Sequence, residues 1–214
     1  MSTAASTSRI RPGRPRQARG KRREADLLRA AGEVFAESGY ADATTNAIAA
    51  RAGVSPGTLY QFFPNKEAMA EALAHRYAAA LGALHESALR PGAEDGTLEA
   101  MLDRIVDPLL RFHRGAPGFE AIFSGSAVSA ELASLGRAIH EEVRCRLEEI
   151  LGARAPGLAR IEVRRMAEVS VQVFKAMLPL ATAGSAASRR WAACELKTVL
   201  RRYLEPALGP AAAK

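Results

Sequence analysis

Residues 44 to 66 read TTNAIAARAGVSPGTLYQFFPNK, a stretch that encodes two short helices meeting at a tight turn. Thr45 is expected to N-cap a first helix whose inner face carries Ile48, Ala49 and Ala52. Gly53 ends that helix cheaply, because glycine enters the left-handed region without a Cβ penalty. Ser55 caps the next helix, and Pro56 takes its first position, where the absent N–H would have had no partner anyway. This second helix is expected to run about two turns, until Pro64 ends it. At about 100° per residue, Leu59, Phe62 and Phe63 fall on one side, while Gly57 and Gln61 centre the other, flanked by Thr58 and Tyr60. The apolar side must dock on a partner helix, so hydroxyls, an amide and a bare glycine face outward. That is the arrangement of a helix-turn-helix reading head; the plainer alternative is an amphipathic helix pair in an ordinary bundle.

The rest of the chain suits that setting. Its 214 residues are enough for one or two domains with a sizeable core. Alanine, leucine and arginine dominate, and β-branched runs at period two are scarce, so the expected fold class is all-α. No apolar run is long enough to span a bilayer, and no apolar leader segment is recognisable, which makes a cytoplasmic location the expectation and a membrane partner unexpected. Cys145 and Cys194 lie far apart without CxxC spacing and read as core residues or free thiols. The histidines His75, His85, His113 and His140 form no metal-binding motif, so neither a metal site nor a cofactor is expected.

Charge is unevenly distributed. Residues 1–23 hold eight arginines and lysines and no acid, residues 24–66 hold three bases and five acids, and the remainder nearly balances within a total of +7. The positive field therefore sits in an arm just before the reading head, and a polyanion is the obvious partner. Residues 1–20 lack apolar periodicity and are expected to be disordered when free. Within them, Pro12-Gly13-Arg14-Pro15-Arg16 looks like the core of an AT-hook, an extended segment whose arginines, here Arg14 and Arg16, enter a narrow minor groove. A phosphate-binding arm without sequence preference and a solvated basic tail are the other readings.

Helices are predicted from about Arg22 to Ser38, from Asn65 to about Leu89, from Leu98 to Phe112 with a kink at Pro108, from Ala130 to Leu151, from Arg160 to Leu180 and from Ser188 to Leu204, with Pro206 closing the fold. Phe119 to Phe123 forms a short apolar turn, and Arg90-Pro91-Gly92 with Asp95-Gly96 is the clearest break. Val169, Val173 and Met177 line one face of the penultimate helix, and Val171, Phe174 and Leu178 another. Trp191, Leu196, Val199 and Tyr203 are read as a comparable stripe on the final helix. Surplus apolar surface on two antiparallel helices suggests a four-helix homodimer interface through the last two helices; a fully buried central helix in a monomer is the alternative.

The first ~80 residues resemble the DNA-binding domain of the tetracycline-repressor (TetR) family of bacterial transcriptional regulators. The resemblance is carried by a helix ending in Phe35 and Gly39, then Thr44-Thr45, Ile48-Ala49, Ala52-Gly53-Val54-Ser55, Gly57-Thr58-Leu59-Tyr60, Phe62-Phe63 and Asn65-Lys66-Glu67. Beyond the disordered basic arm over 1–20, it implies a DNA-binding domain over 21–81 and a helical effector-binding and dimerisation domain over 82–214. Two reading heads of a homodimer would enter successive major grooves of a palindromic double-stranded DNA operator. Thr45 and Lys66, at helix N-termini, and Tyr60 through its hydroxyl are then expected at phosphates, although the Tyr60 ring could instead merely cover Leu59. Gly57 lets the backbone approach a base edge, Pro56 and Thr58 press on a thymine methyl, and Gln61 can pair with adenine N6 and N7. Ser55, as the cap, belongs to the same surface; Arg51 and Asn46 assist at its edge, unless Asn46 only solvates the first turn.

The family also implies a small-molecule pocket in the C-terminal body, whose occupation moves the heads apart through the helix from Asn65. Met101, Phe112, Phe119, Phe123, Phe174, Met177 and Trp191 are the candidate lining, with His113 or Gln172 as polar anchor. The resulting expectation is a sequence-specific repressor released by an unknown small-molecule effector. An architectural DNA-binding protein driven by the basic arm, or an enzyme built on the helical body, are the other readings; no paired carboxylates, nucleophile elbow or phosphate loop supports the enzyme, and no catalytic residue is expected.

Overall fold

The computed structural model describes residues 14–90, 92, 96–123 and 129–209, with side chains from residue 18 onward. Among these residues the chain forms nine helices and no strand: α1 (Arg14–Asp42), α2 (Thr45–Ala52), α3 (Pro56–Tyr60), α4 (Lys66–Ala88), α5 (Leu98–Gly115), α6 (Phe119–Phe123), α7 (Ala130–Arg154), α8 (Arg160–Thr182) and α9 (Ala186–Leu208).

Helix α1 starts at Arg14 rather than near Arg22, so residues 14–20, expected to be disordered, are helical. An apolar stripe marks only the part of a helix that packs, and the preceding turns have none. They are nevertheless rich in strong helix formers (Gln17, Ala18, Arg19, Lys21, Arg22), and Pro15 falls in the first turn, where its missing N–H is harmless. A helical backbone at Arg14 to Arg16 is not the extended path of an AT-hook; Pro12 and Gly13, with the rest of residues 1–13, lie outside the described residues. At its other end α1 leaves helical geometry at Gly39 (φ 77°, ψ 165°).

Elsewhere the corrections are to element ends and faces. Helix α3 is little more than one turn, continued to Phe63 only by tight bonds from the Phe62 and Phe63 N–H groups to the Leu59 carbonyl at 2.9 and 3.0 Å. Helices α5 and α9 run through Pro108 and Pro206, and Pro206, being in the last turn, does not close the fold. On α9, Leu196 is buried with Leu200 and Leu204, whereas Trp191, Val199 and Tyr203 are exposed. Five residues at 100° each place Leu196 roughly 140° from Trp191, so the two cannot share a stripe. Cys145 and Cys194 are exposed free thiols, which removes the core reading for both.

Two apolar clusters hold the helices together. One joins α1 to α4 around Leu27, Phe35, Ile48, Leu59, Phe63 and Met69. The other joins α5, α7, α8 and α9 around Met101, Leu110, Leu151, Ala167, Leu196 and Leu204. Along α4 the change from the first to the second falls between Tyr77 and Leu81. The clusters are not insulated from each other, because α6 packs on α1 and gives its fully buried Ile122 to the first. Closeness there is extreme: a Cβ on Gly32 would meet the Pro117 carbonyl oxygen at 2.6 Å, and one on Gly118 (φ +78°) would meet the Gly32 oxygen at 2.6 Å. Tyr77 donates to that same Pro117 carbonyl at 2.7 Å, tying α4 into the junction.

Candidate nucleic-acid interface and effector cavity

In the reading head, Thr44 rather than Thr45 is the N-cap of α2, its Oγ1 accepting from the Ala47 N–H at 3.1 Å. Either threonine satisfies the capping chemistry; the extended backbone of Thr44 decides between them. Gly53 (φ 66°) closes α2 in the left-handed conformation that a side chain would disfavour. Ser55 Oγ then accepts from the Thr58 N–H at 3.2 Å and shares a hydrogen bond with Thr58 Oγ1 at 3.0 Å. With Leu59 fully buried and Phe63 beneath, Pro56, Gly57, Tyr60 and Gln61 stand in solvent on the opposite side, alongside Asn46 from α2.

Two details bear on chemistry. Tyr60 is 51% exposed, and its hydroxyl lies 3.0 Å from Thr45 Oγ1, so two hydroxyls from two helices converge at one outward point. The ring therefore does more than cover Leu59. Gly57, by contrast, has no internal reason to be glycine: its φ is not positive, and a Cβ would find only Ser55 Oγ, at 3.9 Å. The lack of a side chain matters only to something approaching from outside.

Arg51 and Lys66 point elsewhere. Arg51 grips Glu37 of α1 through both guanidinium nitrogens at 2.9 and 2.5 Å and reaches Glu33 at 3.4 Å. Its hydrogen bonds hold the Glu37 carboxyl below the usual carboxylate range. Lys66 Nζ donates to the Tyr40 and Ala41 carbonyls at 2.9 Å each and lies 4.8 Å from the centre of the Tyr40 ring. Both cations fasten the reading head to the end of α1; Asn65, whose Oδ1 accepts from Ala68 N–H at 2.8 Å, caps α4.

Below this unit, residues of α4 to α9 line a partly open cavity of about 680 Å³. Of the expected lining, Met101, His113, Phe119, Phe123, Gln172 and Phe174 are present. Phe112 instead packs edge-on against Tyr77 and Phe119 at centroid distances of 6.3 and 5.9 Å, Met177 is half-buried against the core, and Trp191 is 58% exposed on the outer face of α9. An aromatic residue's type does not reveal which way its helix turns it.

His85, Arg137, His140 and Lys175, outside the expected lining, also line the cavity. For His85 a signal existed: it continues the Leu81 stripe of α4 at a buried position, and it is 2% exposed. Burial pushes both His85 and His113 down to about 4, the latter with help from its neighbour His85, so both imidazoles are neutral near pH 7. His113 stands edge-on to Phe119 at 4.8 Å.

The fold and the outward face of α3 define a helix-turn-helix DNA-binding protein. Residues 27–73 match the model of bacterial regulatory proteins, tetR family, and residues 97–204 match the tetracyclin repressor-like C-terminal domain. The chain belongs to the TetR family of transcriptional regulators. It is 34% identical over 101 residues to the nucleoid occlusion factor SlmA of Actinobacillus pleuropneumoniae, covering 47% of this chain and 48% of that protein. It is 45% identical over 47 residues to the HTH-type transcriptional regulator UidR of Escherichia coli, covering 22% of this chain and 24% of that one. The chain thus spans about half the length, or less, of the curated relatives it matches. A TetR-family transcriptional regulator from Streptomyces coelicolor superposes with a TM-score of 0.52 at 30% identity, over 87% of this chain and 99% of that one. A TetR-like regulator from Rhodococcus sp. RHA1 shares the fold, with a TM-score of 0.67 at 20% identity over 85% and 95% of the two chains. No helix among the described residues is long and apolar enough to cross a membrane.

Proposed function

We propose that this chain is a cytoplasmic, homodimeric repressor that binds a palindromic operator and leaves it when a small molecule occupies the cavity beneath the reading head. The observation that carries this reading is the position of α6: Phe119 and Phe123 line the cavity, while Ile122 of the same five-residue helix is buried in the core of the reading unit. An occupant that displaces Phe119 or Phe123 must move α6, and the contact at Gly32 and Gly118 leaves no slack for α1 to stay in place.

Within this reading, residues 21–81 form the DNA-binding unit and residues 82–214 the regulatory one. Pro56, Gly57, Thr58 and Gln61 read bases, whereas Ser55, the Thr45–Tyr60 hydroxyl pair and Asn46 meet phosphates and groove edges. Arg14 and Arg16 add charge from the first turns of α1. Arg51 and Lys66 act by holding the head in position. Dimerisation through α8 and α9 is supported by Ile161, Val169, Leu180, Trp191, Val199 and Tyr203, which together leave a large apolar surface exposed on those two helices of the single chain. The helical body serves binding and not catalysis.

Light scattering tests the dimer. The full chain is expected at twice its 22.8 kDa mass, and Trp191→Glu is expected to yield monomer with weakened operator binding. A monomeric wild type at micromolar concentration would remove the homodimer from the reading.

A further inference from the structure

Polar groups around the cavity are not equally free. Its wall is apolar, with Leu81, Met101, Ile105, Val106 and Leu109 among the side chains presented, so the greater part of any occupant must be apolar too. The deep imidazoles of His85 and His113 are neutral and offer hydrogen bonds without charge. Two of the carboxylates nearby already have close partners. Glu141 accepts from two nitrogens of Arg144, and Glu168 accepts from Gln172 at 2.7 Å and lies 3.4 Å from His140; Glu120, on the exposed rim, is 3.9 Å from the neutral His113, beyond hydrogen-bond reach. Arg137 of α7 and Lys175 of α8 also line the cavity, and neither has a carboxylate partner among the described residues.

We propose that the effector is an organic anion, a hydrophobic carboxylic acid, whose apolar body fills the cavity and whose carboxylate pairs with Arg137 and Lys175. The inference rests on the effector reading above and adds the class of molecule. A cationic occupant would meet two like charges, and the Glu141 carboxylate is already taken by Arg144. A neutral one would leave the two cations where they are and gain nothing from them. An anion alone makes charge-assisted hydrogen bonds that the protein itself does not make, with Arg137 able to take both carboxylate oxygens. The neutral histidines add no competing charge deeper down, so the head group belongs at Arg137 and Lys175 and the tail among the leucines.

The test uses the full-length protein and three matched probe series: octanoate, decanoate and 4-phenylbutyrate, then the corresponding alcohols, then the corresponding amines. Calorimetry and thermal shift are run on wild type, on Arg137→Gln, on Lys175→Gln and on the double variant. Both residues are exposed, so the unliganded variants are expected to melt with wild type, which separates binding from folding. The acids are expected to bind about tenfold more tightly than the alcohols, the gain of a charge-assisted pair, and the amines more weakly than either. In the double variant that preference disappears while alcohol affinity is unchanged. Alcohols or amines binding as well as the acids, an undiminished preference in the double variant, or no binding by any series would overturn the proposal. Operator affinity read in the same titrations separates the two claims: acids that bind without releasing DNA sink the effector reading and leave the ligand class standing, and amines that bind and release DNA do the reverse.

Discussion

At the scale of single residues, the reading face of α3 makes the sharpest demands. Gln61 is exposed at the end of α3, and its amide can donate to N7 and accept from N6 of one adenine edge in the major groove. Gln61→Ala is expected to cost about 1–3 kcal/mol on the operator and little on random DNA, measured by fluorescence anisotropy on both. Equal losses would take Gln61 out of base reading. Gly57→Leu separates two roles in one variant: with open space around the backbone, the melting temperature should stay within about a degree or two of wild type while operator binding collapses. Gly118→Ala should do the opposite kind of damage, because its φ of +78° and its 2.6 Å approach to Gly32 both forbid a methyl group; a loss of roughly 2 kcal/mol or more in urea unfolding is expected. Residue chemistry was legible where it acts locally: Ser55 and Asn65 cap their helices as their sequence context implies. It was not legible for Arg51 and Lys66, whose partners Glu37, Tyr40 and Ala41 lie 14 to 26 positions away, because a cation on an outward face looks free until the acceptors it reaches are located.

At the scale of elements, helix bodies follow from their apolar stripes, and errors concentrate where the stripe stops carrying information. Before Lys21 the sequence carries no apolar stripe, so α1 extends through good helix formers that periodicity cannot register. Beyond Leu204, α9 continues through Pro206 because only the last turn is affected. The junction between α6 and α1 could not be read at all, since it depends on a backbone-to-backbone contact between residues more than 80 positions apart, Gly32 and Gly118. Two buried imidazoles, from α4 and α5, give the body a dependence on pH. Their native values near 4 lie below the ordinary 6.5, so the unfolded chain binds more protons in that interval. Stability is therefore full above pH 6.5 and falls as the pH drops towards 4, by at most roughly 3 kcal/mol per imidazole. Acidic side chains add to any raw pH trend, so the check is a comparison: His85→Gln should flatten the urea-midpoint profile between pH 6.5 and 4.5 relative to wild type. Parallel profiles would mean that the imidazole is already protonated in the folded protein.

For the whole molecule, the main division is between charge and information. The segment from Glu24 to Lys66, which contains the reading face, has more acids than bases, and two of its cations are fastened to the protein itself. In the proposed function, long-range attraction to DNA therefore comes from the arginines and lysines up to Arg23, from helix N-termini and from duplication in a dimer, and the choice of sequence is assigned to Pro56, Gly57, Thr58 and Gln61. Neutralising Arg19, Lys21, Arg22 and Arg23 to glutamine is expected to reduce the slope of log K against log salt by several units without changing the order of preference among DNA sequences. Loss of that preference would favour an architectural protein held by its basic arm. The central claim, a dimer that reads a palindrome through α3, is tested most directly by selecting bound duplexes from random DNA and sequencing them. The account predicts an enriched inverted repeat with half-sites about one helical turn apart, and weakened adenine preference at one position per half-site with Gln61→Ala. Bound DNA with no enriched repeat, or the same repeat unaltered in that variant and in Gly57→Leu, would contradict it.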